Sequence, residues 1–200
     1  MKVSSEQIHF ILIHGLFDKS SGINNVEKLI PIIKEYYPNA TIDQDECDYG
    51  WMGALKASWF YKLTDVIPRM SKALKDTGKR TVVIAHSNGC NFTMKALSEI
   101  TNKNIELFFL SPALKRKYEF KEDFKSCDVI YTRGDSVVLL TWLLIKSRLG
   151  TMGRYGASTQ DKRVNNKDMY EYGIKDHSDY FLDFNHETTF KPIRDKLNHG

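Results

Sequence analysis

Thr81-Val-Val-Ile-Ala-His-Ser-Asn-Gly-Cys-Asn-Phe-Thr-Met-Lys-Ala-Leu97 changes its periodicity twice within a short span. Val82, Val83 and Ile84 form an apolar, β-branched run suited to a buried strand, whereas Cys90, Met94 and Leu97 recur at helical spacing. Between them, Ala85-His86-Ser87-Asn88-Gly89 has the composition of a sharp turn, with Ser87 at its tip and Gly89 letting the chain fold back tightly. A serine on an extended loop is an ordinary hydroxyl. One held at a strained strand-to-helix turn projects its oxygen from the sheet and lies beside the positive end of a helix, so it can act as a nucleophile. The usual pattern for such an elbow is Gly-x-Ser-x-Gly, and Ala85 stands at its first position, adding only a methyl group.

A serine nucleophile needs a base for its proton, a group to orient that base, and donors for the developing oxyanion. In a doubly wound sheet these groups belong on loops beyond the carboxyl ends of the strands. Cys127-Asp-Val-Ile-Tyr-Thr-Arg-Gly-Asp135 is a short strand pattern that delivers Asp135 at that end, whereas Asp128 begins the run and falls at the opposite rim. Asp135 fits two readings, an acid that orients the base or an N-cap to the apolar helix that follows. Downstream, Lys175-Asp-His-Ser-Asp-Tyr-Phe181 places His177 in a polar loop, the candidate base, while His9, His186 and His199 are read as solvated loop residues. Asp176 and Asp179 are the next candidates for the acid. For the oxyanion, the strand Ile8 to Ile13 ends in His14-Gly15, and the backbone amide of Leu16 pairs with that of Asn88 as two fixed donors.

Four motifs, Ile11-Leu-Ile-His-Gly-Leu-Phe17, Ile84-Ala-His-Ser-Asn-Gly89, Gly134-Asp-Ser-Val-Val138 and Asp176-His-Ser-Asp-Tyr-Phe181, follow one another across most of the chain. In this order the chain resembles the α/β-hydrolase superfamily, in its compact serine esterase and lipase-like branch. The resemblance implies a three-layer fold with a mostly parallel central sheet of about six strands flanked by helices, without the early antiparallel strands of larger members. By position it makes Ser87 the nucleophile, His177 the base, Asp135 the acid, and the amides of Leu16 and Asn88 the oxyanion hole. The implied activity is hydrolysis of carboxylic esters through an acyl-enzyme, without metal or organic cofactor. The same machinery would serve a thioesterase, an amidase or an acyltransferase, and a hydrolase-like scaffold that only binds a ligand is the contrasting class.

Composition agrees with a folded enzyme. Two hundred residues, 42% hydrophobic, suffice for one domain spanning 1–200 with a substantial core. The net charge of +4 is mild and its basic residues are dispersed, which argues against nucleic-acid binding and leaves a small-molecule ester or acyl substrate as the expected partner. The longest apolar run, Val137 to Ile145, is too short to span a membrane, and the first residues carry no apolar signal segment. Three cysteines without metal or CxxC spacing read as reduced thiols, which together with the leaderless start suggests the cytoplasm; oligomeric state is left open.

The expected order of elements is a strand at 8–13, a helix along the stripe Val26, Leu29, Ile30 and Ile33 in which Pro31 marks a start or a kink, a strand near 41–46, a helix closed by Gly78, and a strand at 81–86 with its helix. Strands at 105–110 and 127–132, a helix, a strand near 164–169 and a helix around 187–197 complete it. Trp51, Trp59 and Trp142 are the candidate substrate contacts. The aromatic cluster holding the first two could line an acyl pocket or pack a helix on the sheet. Val137 to Ile145 fits a buried helix better than a lid. Asp43, Asp45, Glu46 and Asp48 read as a solvated rim rather than a cation site.

Overall fold

The computed structural model describes residues 7–15, 25–44, 66–75, 78–144 and 149–199. Six parallel strands make the sheet: β1 (Ile8–Ile13), β2 (Thr41–Asp43), β3 (Arg80–His86), β4 (Ile105–Leu110), β5 (Ser126–Tyr131) and β6 (Val164–Asp168). Their spatial order is β2-β1-β3-β4-β5-β6. The chain therefore leaves β1 in one direction and returns past it to β3, so the winding reverses between β1 and β3. In open sheets of this kind, ligands bind beyond the carboxyl ends of the strands at such a reversal.

Both faces of the sheet are buried, which is why the strands read as continuous apolar runs rather than alternating ones. On one face Ile11, Ile13, Val83, Ala85, Leu107, Phe109 and Val129 join a cluster with α2 (Val66–Leu74) and α3 (Gly89–Leu97). On the other, Phe10, Leu12, Val82, Ile84, Phe108 and Ile130 pack against α1 (Ile30–Tyr36) and α6 (His186–His199). The odd-even division between the two clusters is the two-residue period of the extended chain. Pro31 occupies the first turn of α1, where its missing N–H costs nothing, in line with the expectation. Gly78 does not cap α2, which ends at Leu74; it adopts a left-handed φ of 72° in the connection leading into β3.

Two shorter helices follow β5: α4 (Ser136–Leu144) and α5 (Met152–Tyr155). The expectation that the run beginning at Val137 is buried needs correction. Val138 is buried, but Val137, Leu140 and Trp142 are exposed, Leu140 to 58%. A helix that is apolar all round and lies at a sheet rim can bury only the stripe facing the core. None of the described helices is long and apolar enough to cross a membrane.

At the amino end of the strands, β4 carries a buried carboxylate. Glu106 Oε1 lies 2.7 Å from Arg80 Nε and 3.2 Å from Lys125 Nζ. Burial alone would raise this carboxyl, but Arg80 and Lys125 outweigh it and hold it below the ordinary glutamate range. Arg80 also donates to the Leu197 carbonyl at 3.1 Å, tying α6 to the sheet edge. Because the folded carboxyl is depressed, the pairing stabilises the protein fully above the unfolded glutamate range and is lost as pH falls through the folded value. Arg80→Ala should lower unfolding stability by about 3 kcal/mol near neutral pH in urea denaturation, with the deficit shrinking in acid.

Candidate active site

The candidate site is built from the turns that follow β3, β4 and β5. β3 ends at His86, and Ser87 turns the chain with a left-handed φ of 55° before α3 begins at Gly89. Left-handed geometry is uncommon outside glycine and costs about 1–3 kcal/mol, so the surroundings must impose it. They do so from both sides. The Ser87 amide donates to the Leu110 carbonyl at 3.0 Å, and the Ser87 carbonyl accepts from the Ala113 amide at 3.0 Å, locking the turn to the end of β4. On the β1 side, a Cβ at Gly89 would stand 2.4 Å from the His14 carbonyl oxygen, a contact only glycine permits. Alanine at 85, by contrast, is accommodated in the core on the strand side of the turn.

Asn88 follows Ser87 at the amino end of α3 and is buried. Its side chain is held by Asn91 Nδ2, which donates to Asn88 Oδ1 at 3.0 Å and to the Ala113 carbonyl at 3.1 Å. The backbone of Asn88 is thus fixed beside the elbow, where the helix dipole favours negative charge. Leu16, Trp51 and Trp59, and with them Asp45, Glu46 and Asp48, lie outside the described residues. Trp142 sits on the exposed part of α4. No group of three or more potential metal ligands occurs among the described residues.

Asp135 and His177 meet directly. His177 Nδ1 lies 2.7 Å from Asp135 Oδ2, with the carboxylate fully buried and the imidazole nearly so. The loop carrying His177 is pressed against the turn after β5: a Cβ on Gly134 would fall 1.9 Å from the Lys175 carbonyl oxygen. Thr132 Oγ1 ties the same two segments by donating to the Ile174 carbonyl at 2.6 Å. The N-cap reading of Asp135 agrees with the structure, because its Oδ1 accepts the Val138 amide at 2.9 Å in the first turn of α4. Burial alone would raise its carboxyl. The hydrogen bond and charge of His177, the Val138 amide and the Ser111 hydroxyl outweigh burial and keep it below the usual aspartate range. An ionised Asp135 holds the Nδ1 proton of His177 and leaves Nε2 to face other partners.

His86, read in the sequence only as the variable residue before the serine, joins this pair to the elbow. Its ring packs on that of His177 with centroids 4.6 Å apart, and its Nε2 lies 3.2 Å from the His177 carbonyl oxygen. Phe181 meets the other side of His86 edge-on at 4.9 Å. Ser87 is therefore one residue from a side chain in contact with His177, although among the described residues no hydrogen bond joins the Ser87 hydroxyl to that imidazole. Asp176 accepts hydrogen bonds from Ser136 and Asp179 from the amides of Lys175 and Asp176, so both shape the loop and neither reaches the His177 ring. Of the histidines expected to be solvated loop residues, His9 is half-buried on β1 and His186 is half-buried at the start of α6, whereas His199 is exposed as expected but ends α6 rather than lying in a loop.

No protein-family model matches the sequence, and a comparison with curated proteins finds no match. Among solved structures, the chain is similar to an α/β serine hydrolase without lid from Xanthomonas campestris, with a TM-score of 0.56, 12% identity, and coverage of 96% of this chain and 84% of that one. It is similar also to esterase B from Lactobacillus rhamnosis, determined with a C4-C4 SN3 tributyrin phosphonate, with a TM-score of 0.54, 12% identity, and coverage of 98% and 76%. Six parallel strands with helices on both faces, a strained serine turn after β3 and these two likenesses assign the chain the α/β-hydrolase fold.

Proposed function

We propose that this protein is a serine hydrolase that cleaves carboxylic esters, with Ser87 as nucleophile, His177 as general base and acid, and Asp135 as the orienting carboxylate. The observation that carries the proposal is the 2.7 Å hydrogen bond between His177 and a buried Asp135 at the rim from which Ser87 projects. A pure binding scaffold has no need of an imidazole held in one tautomer by a buried carboxylate.

In the proposed cycle, the Ser87 oxygen attacks the acyl carbon as its proton passes to His177 Nε2. Negative charge on the carbonyl oxygen is received by the Asn88 amide and, in our reading, by that of Leu16; each such donor contributes about 3 kcal/mol to transition-state stabilisation. Collapse of the tetrahedral intermediate expels the alcohol, which takes its proton from His177. Water then attacks the acyl-enzyme by the same base route and releases the acid, restoring Ser87. Asp135 stays ionised throughout and stabilises the imidazolium. The hydrogen bond from Ser87 to His177 forms as substrate seats, since catalytic hydrogen bonds commonly tighten only in the substrate complex.

The substrate in this proposal is a small-molecule ester whose acyl group reaches the outward apolar part of α4, directly after Asp135. The buried, unpaired thiols of Cys90 and Cys127 support a reducing, cytoplasmic setting, and burial raises both well above the ordinary thiol range, so neither competes as a nucleophile. In the proposed enzyme, residues 1–200 form one catalytic domain.

A fluorophosphonate probe followed by digestion and mass spectrometry should place the adduct on Ser87, with labelling abolished in Ser87→Ala and strongly reduced in His177→Ala. An unlabelled wild-type protein would contradict the proposal. Asp135→Asn should remain folded by circular dichroism yet lose about 10⁴-fold in kcat, because the imidazole then loses its fixed tautomer. Across p-nitrophenyl esters of increasing acyl length, Trp142→Ala should lower kcat/KM for long chains by about tenfold while sparing acetate. Equal losses for short and long chains would remove α4 from the acyl site.

A further inference from the structure

The loop that carries His177 is anchored mainly to the far side of the site from Ser87. Asp135 fixes His177 Nδ1 at 2.7 Å, and Thr132 Oγ1 fixes the start of the loop by donating to the Ile174 carbonyl at 2.6 Å. The loop is also wound on itself: Asp176 Oδ1 accepts the His177 amide at 2.8 Å, and Asp179 Oδ2 accepts the amides of Lys175 and Asp176 at 2.9 Å. Its other end is held by Tyr180, whose hydroxyl accepts from Ser111 Oγ at 3.3 Å and donates to the Ile130 carbonyl at 3.3 Å. These anchors lead to β5 and to the turns after β4 and β5. Ser87, the group that His177 has to meet, lies on the turn after β3 instead.

His86, the last residue of β3, bridges the two sides. Its side chain is buried, and its Nε2 lies 3.2 Å from the His177 carbonyl oxygen. A carbonyl oxygen can only accept, so the His86 ring carries a proton on Nε2 and donates it there. The ring also packs on the His177 imidazole, with centroids 4.6 Å apart, and is backed by the edge of Phe181 at 4.9 Å. One bond at Nδ1 does not by itself fix an imidazole, because the ring can still swing about that bond and carry Nε2 across the site. A bond to the backbone of the same residue and a contact on its face remove that freedom. A displacement of about 1 Å is enough to cost roughly 10²-fold in rate. Since no hydrogen bond joins the Ser87 hydroxyl to the His177 ring among the described residues, the register between them passes through His86, which is one peptide bond from the serine and one hydrogen bond from the histidine.

We propose that His86 is a positioning residue for His177: its Nε2–H, bound to the His177 carbonyl, ties the loop to β3 and holds the imidazole in register with Ser87. The role rests on the reading of Ser87 and His177 as nucleophile and base. A histidine that only packs the space between β3 and Phe181 could be exchanged without loss for another ring of similar shape. Positioning needs the donor.

The test uses the full chain with His86→Phe, His86→Gln and His86→Asn. For a p-nitrophenyl ester, His86→Phe, which keeps a ring and removes the donor, should show kcat lowered by about tenfold or more with KM within about twofold of wild type, the size of one lost buried hydrogen bond. His86→Gln, whose amide can donate from the place of Nε2, should return kcat to within about threefold of wild type, whereas His86→Asn, whose amide reaches only as far as Nδ1, should lose as much as the phenylalanine variant. Both amide variants lack the ring, so their difference isolates the donor and stands even if His86→Phe fails to fold. Proton NMR of the resting protein gives a reading that needs no turnover: the downfield His177 Nδ1–H resonance should shift or broaden in His86→Asn and stay near its wild-type position in His86→Gln. Equal kcat in the two amide variants, or wild-type kcat in a folded His86→Phe, would overturn the role of His86 while leaving the hydrolase reading intact. A wild-type protein that takes no fluorophosphonate would instead remove the hydrolase reading, and the resonance would still decide whether His86 orders His177.

Discussion

The turn at Ser87 is the constraint around which the carboxyl rim is arranged. A left-handed serine cannot sit free on a strand end; it has to be clamped, and the clamps come from the β1 side through the Gly89–His14 contact and from β4 and the turn after it through the Leu110 carbonyl and the Ala113 amide. Those contacts exist only because β1, β3 and β4 are neighbours in a parallel sheet whose winding reverses between the first two. Topology, in other words, supplies the strain that a local sequence could not maintain alone. The same arrangement sets the amino end of α3 beside the serine, where its dipole favours an anion.

The electrostatics of the rim depend on depth. Asp135 is fully buried, yet it stays ionised because an imidazole, a backbone amide and a hydroxyl replace the water it has lost. A buried carboxylate with fewer donors would take up a proton and cease to hold the His177 tautomer. Glu106 solves the equivalent problem at the other end of the sheet with two cations, and there the result is a structural tie between β3, β4 and α6. The contrast lies in the partners. Glu106 is matched by two cationic side chains, whereas Asp135 is matched by an imidazole, a backbone amide and a hydroxyl.

Where both faces of a strand are covered, its residues were legible one by one: β1 and β4 occupy the same residues that their apolar runs mark out. β3 begins one residue earlier than its apolar run, at Arg80, because that side chain is engaged by Glu106 rather than by the core. The elbow was legible because turn chemistry and a change of period coincide at Ser87, and Asp135 and His177 were legible because each follows the sheet pattern at a strand end or in the expected order. Ser111, His86 and Tyr180 were not. Each is a polar residue placed by contacts between segments far apart in the chain, such as Ser111 with Tyr180 and His86 with His177, and no periodicity records such contacts. The exposed stripe of α4 was misread for a related reason, since an all-apolar helix does not reveal which side the core will leave uncovered.

In the proposed cycle the hydroxyl of Ser87, the imidazole of His177 and the amide of Asn88 converge on one reacting centre. A crystal structure of the phosphonylated protein addresses it directly. The expected result is phosphorus bonded to Ser87 Oγ, one phosphonyl oxygen within hydrogen-bond reach of the Asn88 amide, and His177 Nε2 turned toward the adduct with its bond to Asp135 intact. An adduct on any other residue, or an imidazole of His177 directed away from a phosphonylated Ser87, would contradict it.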